Sequence, residues 1–379
     1  MIRYLQVFCR KCLNDSKSVP FVNQVENQVS VSHEITYNQP ILNLSLQQLN
    51  ELLNSVGEKP FRARQVAEWL YLHHAPSYDA MTNLSKSLRE KLAAVAPLVR
   101  SRIVEKQVSA DGTRKYLIEH NDGVCVEAVG LPTHDRLTVC MSSQAGCAMG
   151  CVFCATGQSG FRRNLYPGEM TEQVRLIAQD FQRRVTNVVV MGQGEPFLNY
   201  DAVIAALHIL NDTRFFNIGA RHITISTCGI IKGIEQLAQE PEQFTLAVSL
   251  HSAIQATRDS LMPGVAKQPL CELRKALALY FEKTGRRPSL EYTLIEGKQT
   301  SAEEIDALAA FASELHAHIN LIPVNAAGNP SIKPPSTQTI RHIAQHLEKA
   351  HVNATVRTER GADIAAACGQ LARNHKQNA

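Results

Sequence analysis

Cys147-Ala148-Met149-Gly150-Cys151-Val152-Phe153-Cys154 places three thiols within eight residues, with three and then two residues between them. A loop of that length can curl so that its sulfurs reach three corners of one iron–sulfur cube. A 4Fe–4S cube then keeps one iron without a protein ligand. That iron is free to take the amino and carboxylate groups of S-adenosylmethionine (SAM). One electron passed into the sulfonium would cleave a C–S bond and release a 5′-deoxyadenosyl radical. The alternative is structural zinc, which needs a closed set of four ligands; Cys140 or a histidine can complete it. Zinc pairs more often come as two separated C-x-x-C units.

Other residues able to do chemistry recur where short β-branched runs end. Gly192-Gln193-Gly194-Glu195-Pro196 follows NVVVM. Its glycines let backbone approach a ligand, and Glu195 can accept hydrogen bonds from an ammonium. Ser226 ends the next run, Ser249-Leu250-His251 the one after, and Asn325 follows HINLI. Taken singly, each is a loop cap or a satisfied core histidine. As a set they suit a ligand laid across the mouth of a barrel.

The elements that must position these groups alternate. The runs are Asn187–Met191, Arg221–Ser226, Thr245–Ser249, Leu290–Leu294, His318–Ile322 and Asn353–Arg357. Helical stretches such as Asp201–Asn211, Ser301–Leu315 and Thr337–Ala350 lie between them. Alternation of this kind predicts an α/β fold whose parallel sheet is an open, partial barrel. Residues 100–133 alternate differently, with turns at Asp111-Gly112 and Asp122-Gly123, and predict a β-meander linking to the core of 134–372. Residues 41–99 predict three short helices: one stopping at Gly57, one opening at Pro60, one capped by Ser85. Arg62 and Arg64, near the single Trp69, can grip phosphates there or form a solvated helix end. Residues 1–40 are expected to be an extension and 373–379 a tail.

Composition narrows the class. The 379 residues are 44% hydrophobic and 20% charged, with no apolar run of membrane-spanning length. A net charge of +4 permits a nucleic-acid partner without requiring one. Ten cysteines in a chain this long point to a metal or redox site in a reducing compartment, not to a secreted disulfide scaffold. Cys9, Cys12, Cys125, Cys228 and Cys271 match no motif.

The cysteine spacing is that of the radical SAM superfamily, and SSQAGCAMGCVFCATGQSGFRRNL (142–165) resembles the signature of its adenine-C2 RNA methyltransferases. GEKPFRARQVAEWLY (57–71) is similar to that family's N-terminal helical domain, and RGADIAAACGQL (360–371) to its C-terminal motif. The resemblance implies a partial (β/α)6 radical SAM barrel with a small N-terminal helical domain and a short β linker. It implies one 4Fe–4S cluster on Cys147, Cys151 and Cys154. SAM contacts fall on Gly194, Glu195, Ser226, Ser249, Leu250, His251 and Asn325. Cys368, Cys140 and Glu127 become catalytic. Adenine C2 is electron-poor and is no nucleophile, so direct polar transfer from SAM fails; the resemblance implies the family's route, which uses two SAM molecules per turnover. The first methylates Cys368; the second supplies a radical that takes hydrogen from that methyl group. The carbon radical adds to C2, Glu127 accepts the C2 proton, and Cys140 attacks the Cys368 sulfur to release the base with a transient disulfide. Implied partners are 23S rRNA and tRNA, with an electron donor such as flavodoxin or ferredoxin; a cytoplasmic monomer is expected. Arg162, Arg163, Arg183, Arg184, Arg357 and Arg360 can meet phosphates.

Two departures from the family pattern are visible: Gln193, where the family often has Met, and MPGVAKQP (262–269), where it has a basic, aromatic-containing stretch. Rival readings are a C8-methylating resistance enzyme, a non-catalytic RNA-binding protein with a structural metal, and a radical SAM enzyme for a small molecule. The 57–71 stretch favours C2 over C8.

Overall fold

The computed structural model describes residues 39–325 and 332–371. The expected extension lies almost wholly outside them, as does the 373–379 tail. All described residues belong to one unit.

Three helices come first: α1 (Leu46–Ser55), α2 (Pro60–Tyr71) and α3 (Lys86–Val95). Ser45 and Gln48 form a reciprocal capping box on α1, and Ser85 caps α3 by accepting from the Leu88 N–H. Their apolar stripes bury Leu49, Leu52, Val66, Leu70, Leu88 and Leu92. Arg62 and Arg64 pair with Glu58 and Glu68 one turn away, at 3.7 and 3.6 Å.

The meander follows as β1 (Arg102–Val108), β2 (Arg114–Glu119) and β3 (Cys125–Pro132). Both of its turns use a glycine with positive φ, Gly112 at +82° and Gly123 at +78°. β3 pairs antiparallel with β4 (Leu137–Cys140), so the meander continues the sheet of the core. β4 was not singled out in the sequence, because four residues are too few for alternation to register.

After β4 come the hairpin strand β5 (Gln144–Gly146), the single turn α4 (Ala155–Gln158) and the returning strand β6 (Phe161–Asn164). Then α5 (Pro167–Phe181) leads to β7 (Asn187–Val190), α6 (Tyr200–Asn211) to β8 (Ile223–Thr227), and α7 (Ile231–Leu237) to β9 (Thr245–Ser249). The pattern closes with α8 (Gln255–Leu261), α9 (Leu270–Thr284), β10 (Ser289–Leu294), α10 (Ala302–Leu315), β11 (His318–Pro323), α11 (Thr337–Lys349) and β12 (Ala354–Val356). The sheet order is β1-β2-β3-β4-β7-β8-β9-β10-β11-β12, parallel from β4 onward. Six helical crossovers join those seven parallel strands; β7–β12 correspond to the six runs expected from the sequence, and β4 is the added strand.

Inward residues of the strands fill the space beneath the helices: Val188, Val190, Ile225, Val248, Leu290 and Ile319 are fully buried or nearly so. Burying continuous β-branched runs on both faces is what parallel strands require. Two ion networks attach the neighbours. Asp180 on α5 accepts from Lys106, Arg114 and Tyr116 of the meander. Arg100 donates to Glu172 on α5 and to the carbonyls of Leu70 and Ala75 in the helical region.

Candidate active site

Most candidates lie near the C-terminal ends of the parallel strands, where loops must leave the sheet; Glu127 lies on β3 and Cys368 in the C-terminal loop. The segments after β4 and β7 are sewn together. Ser142 Oγ donates to the Glu127 carbonyl at 2.6 Å and accepts the Gln193 N–H at 2.8 Å. The Gln193 carbonyl accepts from Ser143 and Gln144 N–H groups. Gln144 Oε1 accepts the Glu195 N–H. Such close backbone approach leaves no room for a Cβ at Gly192 or Gly194, where one would stand 2.6 Å from Ser142 Oγ or Gln144 Cβ. The Gln193 departure is thus carried by backbone bonds that its side chain does not enter.

Glu195 is 3% exposed. Its carboxylate accepts from the Phe197 N–H at 3.0 Å, the Thr227 hydroxyl at 2.7 Å and the Cys228 N–H at 2.7 Å. Burial raises its carboxyl, with those bonds opposing. The Cys228 thiol faces the same carboxylate and opposes the rise together with those three bonds.

The three-thiol loop bulges between β5 and α4 and is braced from three sides. The Cys147 N–H donates to the Gly160 carbonyl, made possible by Gly146, whose φ is +76° and whose Cβ would clash with that oxygen. The Val152 N–H donates to the Leu261 carbonyl, and the Gly264 N–H to the Met149 carbonyl. The Ala155 N–H donates to the Gly369 carbonyl. The divergent 262–269 stretch is therefore partly a brace for this loop: Met262 and Val265 are buried in the same apolar cluster as Cys147 and Met149. The sulfurs of Cys147, Cys151 and Cys154 do not all lie within 4.8 Å of one another. Ligands of one tetrahedral zinc would sit about 3.8 Å apart, given Zn–S bonds of about 2.3 Å. Thiolates on separate corners of a cube stand farther apart, so this donor set fits a cluster better than a zinc ion.

Cys140 ends β4, paired with Val129 of β3. The Cys368 segment is a loop after a short 3-10 turn at Ala362–Ile364. Asp111 accepts from the Gly361 N–H and the Arg360 side chain, and the Lys115 ammonium reaches the Ala365 carbonyl. Asn325 Nδ2 donates to the Cys368 carbonyl at 3.2 Å. Both thiols are free. Burial pushes Cys140 up to about 12, and the charge of a Cys368 thiolate adds to the rise. Cys368 is accessible to solvent yet ringed by protein, which raises its thiol while Arg357 opposes the rise.

Glu127 is 2% exposed on β3, and Lys115 Nζ lies 3.4 Å from its Oε1. Residues two apart share a sheet face, so Glu127 faces the same side as Val129, which packs with Cys140 and the C-terminal Ala366 and Leu371.

The strand-end residues divide. Ser226 and Ser249 are half-buried at the ends of β8 and β9. The Leu250 side chain lies wholly in the core, and its N–H and carbonyl are engaged by Glu291 and Ser252. His251 has a φ of +56°, and its Nδ1 accepts the Thr293 N–H at 3.0 Å, which assigns the ring proton to Nε2. Its ring meets Phe153 of the thiol loop edge-on at 4.7 Å. Burial and Arg258 lower it to about 3, so it is neutral at ordinary pH.

The arginines do not gather. Arg163 is held by Asp122 and Glu169, Arg183 and Arg184 by backbone carbonyls, and Arg360 by Asp111 and Pro132. Arg162 and Arg357 are exposed. Thr227, Cys228, Lys115 and Arg258 were not chosen in the sequence reading. Thr227, a strand-end residue beside Ser226, had the most signal.

Residues 39–98 match the family described as "Ribosomal RNA large subunit methyltransferase N-terminal domain", and residues 141–286 match the "Radical SAM superfamily". A "Probable dual-specificity RNA methyltransferase RlmN" of Alkaliphilus oremlandii is 42% identical, over 89% of this chain and 98% of the relative. A protein of the same name from Synechococcus elongatus is 43% identical, over 90% of this chain and 95% of the relative. Among solved structures, a radical SAM methyltransferase from Sphaerobacter thermophilus is similar with a TM-score of 0.81 and 43% identity, covering 88% of this chain and 99% of that one. No helix among the described residues is long and apolar enough to cross a membrane.

Proposed function

The chain belongs to the RlmN family of radical SAM RNA methyltransferases, and on that premise we propose that it methylates C2 of adenosine in 23S rRNA and in tRNA through Cys368 and Cys140. The observation that carries this reading is the convergence of the C-terminal loop on the thiol loop. The Gly369 carbonyl, next to Cys368, is bonded to the Ala155 N–H, next to Cys154, while the charge at Cys368 acts on Cys140.

Cys147, Cys151 and Cys154 would hold a 4Fe–4S cluster, whose remaining iron would be open to SAM. When bound, that pair supplies a one-electron cleavage of the sulfonium and hence a hydrogen-abstracting radical. Glu195 and the polar strand ends Ser226, Ser249 and Asn325 orient SAM with Gly194; His251 braces Phe153, and Leu250 contributes packing. Cys368 Sγ displaces methyl from a first SAM, losing its thiol proton and releasing S-adenosylhomocysteine. Loss of one hydrogen atom from that methyl group leaves a carbon radical on the Cys368 sulfur, which bonds to adenine C2. Glu127 takes the C2 proton, with Lys115 beside it, and the one electron released from the adduct would pass to the cluster left oxidised by SAM cleavage. Cys140 Sγ then attacks Cys368 Sγ. The S–S bond forms as the S–CH2 bond breaks, and the released carbon takes a proton to become the product methyl group. Two SAM are consumed. The disulfide is reset by an external thiol, and electrons come from a flavodoxin- or ferredoxin-like donor. Residues 41–99 are read as an RNA-gripping accessory region and 100–133 as its linker, in a cytoplasmic monomer.

Anaerobic protein incubated with SAM, reductant and RNA, followed by nucleoside mass analysis, tests this. The expected product is 2-methyladenosine. Cys368→Ala should abolish turnover, and Cys140→Ala should accumulate a covalent protein–RNA adduct. Exclusive 8-methyladenosine sinks the positional reading; normal turnover by both variants sinks the two-cysteine route.

A further inference from the structure

Arg258, on α8, is 0% exposed and is the largest fully buried side chain. A buried guanidinium ordinarily sits against a carboxylate. Here the one bond drawn from its head goes from Nη2 to the Cys228 carbonyl, while Nε and Nη1 have no partner among the described residues. Desolvation disfavours its charge, and negative charge at Cys228, Asp259 and Cys151 favours it. Its position is held from both ends. Gly229 packs tightly on the guanidinium, since a Cβ there would stand 3.0 Å from Nη2. Three residues on, the Leu261 carbonyl takes the Val152 N–H, beside Cys151. A cation and two N–H donors that no described residue accepts are therefore held beside the thiol loop. Buried donors without an acceptor are destabilising, so the fold retains a costly group there.

We propose that Arg258 is a positioning and potential-setting residue for the cluster, its buried charge and free N–H groups compensating the negative charge of the thiolate-bound cube. A cube with three thiolates is anionic and becomes more so on reduction. A fixed cation nearby favours the reduced state, and hydrogen bonds towards the sulfurs act in the same direction. The inference rests on the three-thiol cluster reading above.

The test is a potentiometric titration, followed by electron paramagnetic resonance, of reconstituted wild type, Arg258→Lys, Arg258→Gln and Arg258→Met, without SAM. Iron is counted and folding checked by circular dichroism. In Arg258→Gln and Arg258→Met the equilibrium constant for cluster reduction should fall at least tenfold, a midpoint about 59 mV more negative for one electron. Arg258→Lys should stay within tenfold of wild type. If the two neutral variants fold but take up no iron while Arg258→Lys does, the charge is required to hold the cube, and the proposal stands. Neutral variants that load the cluster with an unmoved midpoint overturn it, even if SAM affinity drops. So does an Arg258→Lys protein that shifts, or fails to load, as the neutral ones do. A wild-type protein without iron would instead sink the cluster reading itself.

Discussion

At Gly194 a φ of +103° coincides with a Cβ position 2.6 Å from Gln144 Cβ. Each condition alone excludes a side chain, and together they tie the Glu195 loop to the segment leading into the thiols. Gly194→Ala should cost about 1–3 kcal/mol of backbone strain and weaken SAM binding at least tenfold by equilibrium dialysis, with circular dichroism unchanged. His251 makes a separate prediction. Its folded-state value of about 3 lies below the ordinary 6.5. The unfolded chain therefore binds this proton first, so stability is complete above about pH 6.5 and falls as pH drops towards 3. In urea titrations from pH 7 to 4, His251→Gln should lose less stability than wild type. Equal losses would mean the ring is not the neutral acceptor that the Thr293 N–H bond requires.

Between elements, a few polar groups replace continuous apolar packing. Asp180 collects Lys106, Arg114 and Tyr116, while the Arg114 guanidinium lies over the Phe181 ring, 4.0 Å from its centroid. Burial raises the Asp180 carboxyl, but those bonds outweigh it and hold it at about 2. This depressed value contributes stability that is present above about pH 4 and lost as pH falls towards 2. Asp180→Asn should destabilise by about 1–3 kcal/mol at neutral pH, measured by denaturant midpoint, and the gap from wild type should close in acid. The meander matters beyond stability because β3 carries Glu127 and β2 anchors the C-terminal loop through Lys115. Loosening it should depress turnover more than SAM binding.

Across the whole molecule, Arg100 joins the N-terminal helices to the barrel, bonding the Leu70 and Ala75 carbonyls on one side and Glu172 on the other. Glu172 is also clasped by Arg175. Arg175 would still compensate Glu172, so removing Arg100 costs mainly the bonds across this joint and leaves the buried Leu70 and Ala75 carbonyls without it, about 1–3 kcal/mol. Arg100→Met should therefore expose residues 41–99 to limited proteolysis while the barrel stays resistant. Uniform sensitivity of both regions would show that they do not separate at this joint.

Local signals sufficed for much of this. Spacing alone located the thiol loop, because three ligands within eight residues need no distant partner. β-branched runs and helical periods located the parallel units, and Gly112 and Gly123 located the meander turns, since those preferences act over a few residues. Naming Cys140, Cys368 and Glu127 took the resemblance in addition, because nothing local marks a lone thiol in RGADIAAACGQL. Only the folded chain brings residue 368 to residue 154, turns the Ala-rich stretch into a loop, uses 262–265 to brace the thiols, and buries Arg258 without a counter-charge. Those facts depend on contacts between residues far apart in the chain, where hydrogen bonds and close packing are settled by the assembled barrel and have no periodic trace in the sequence.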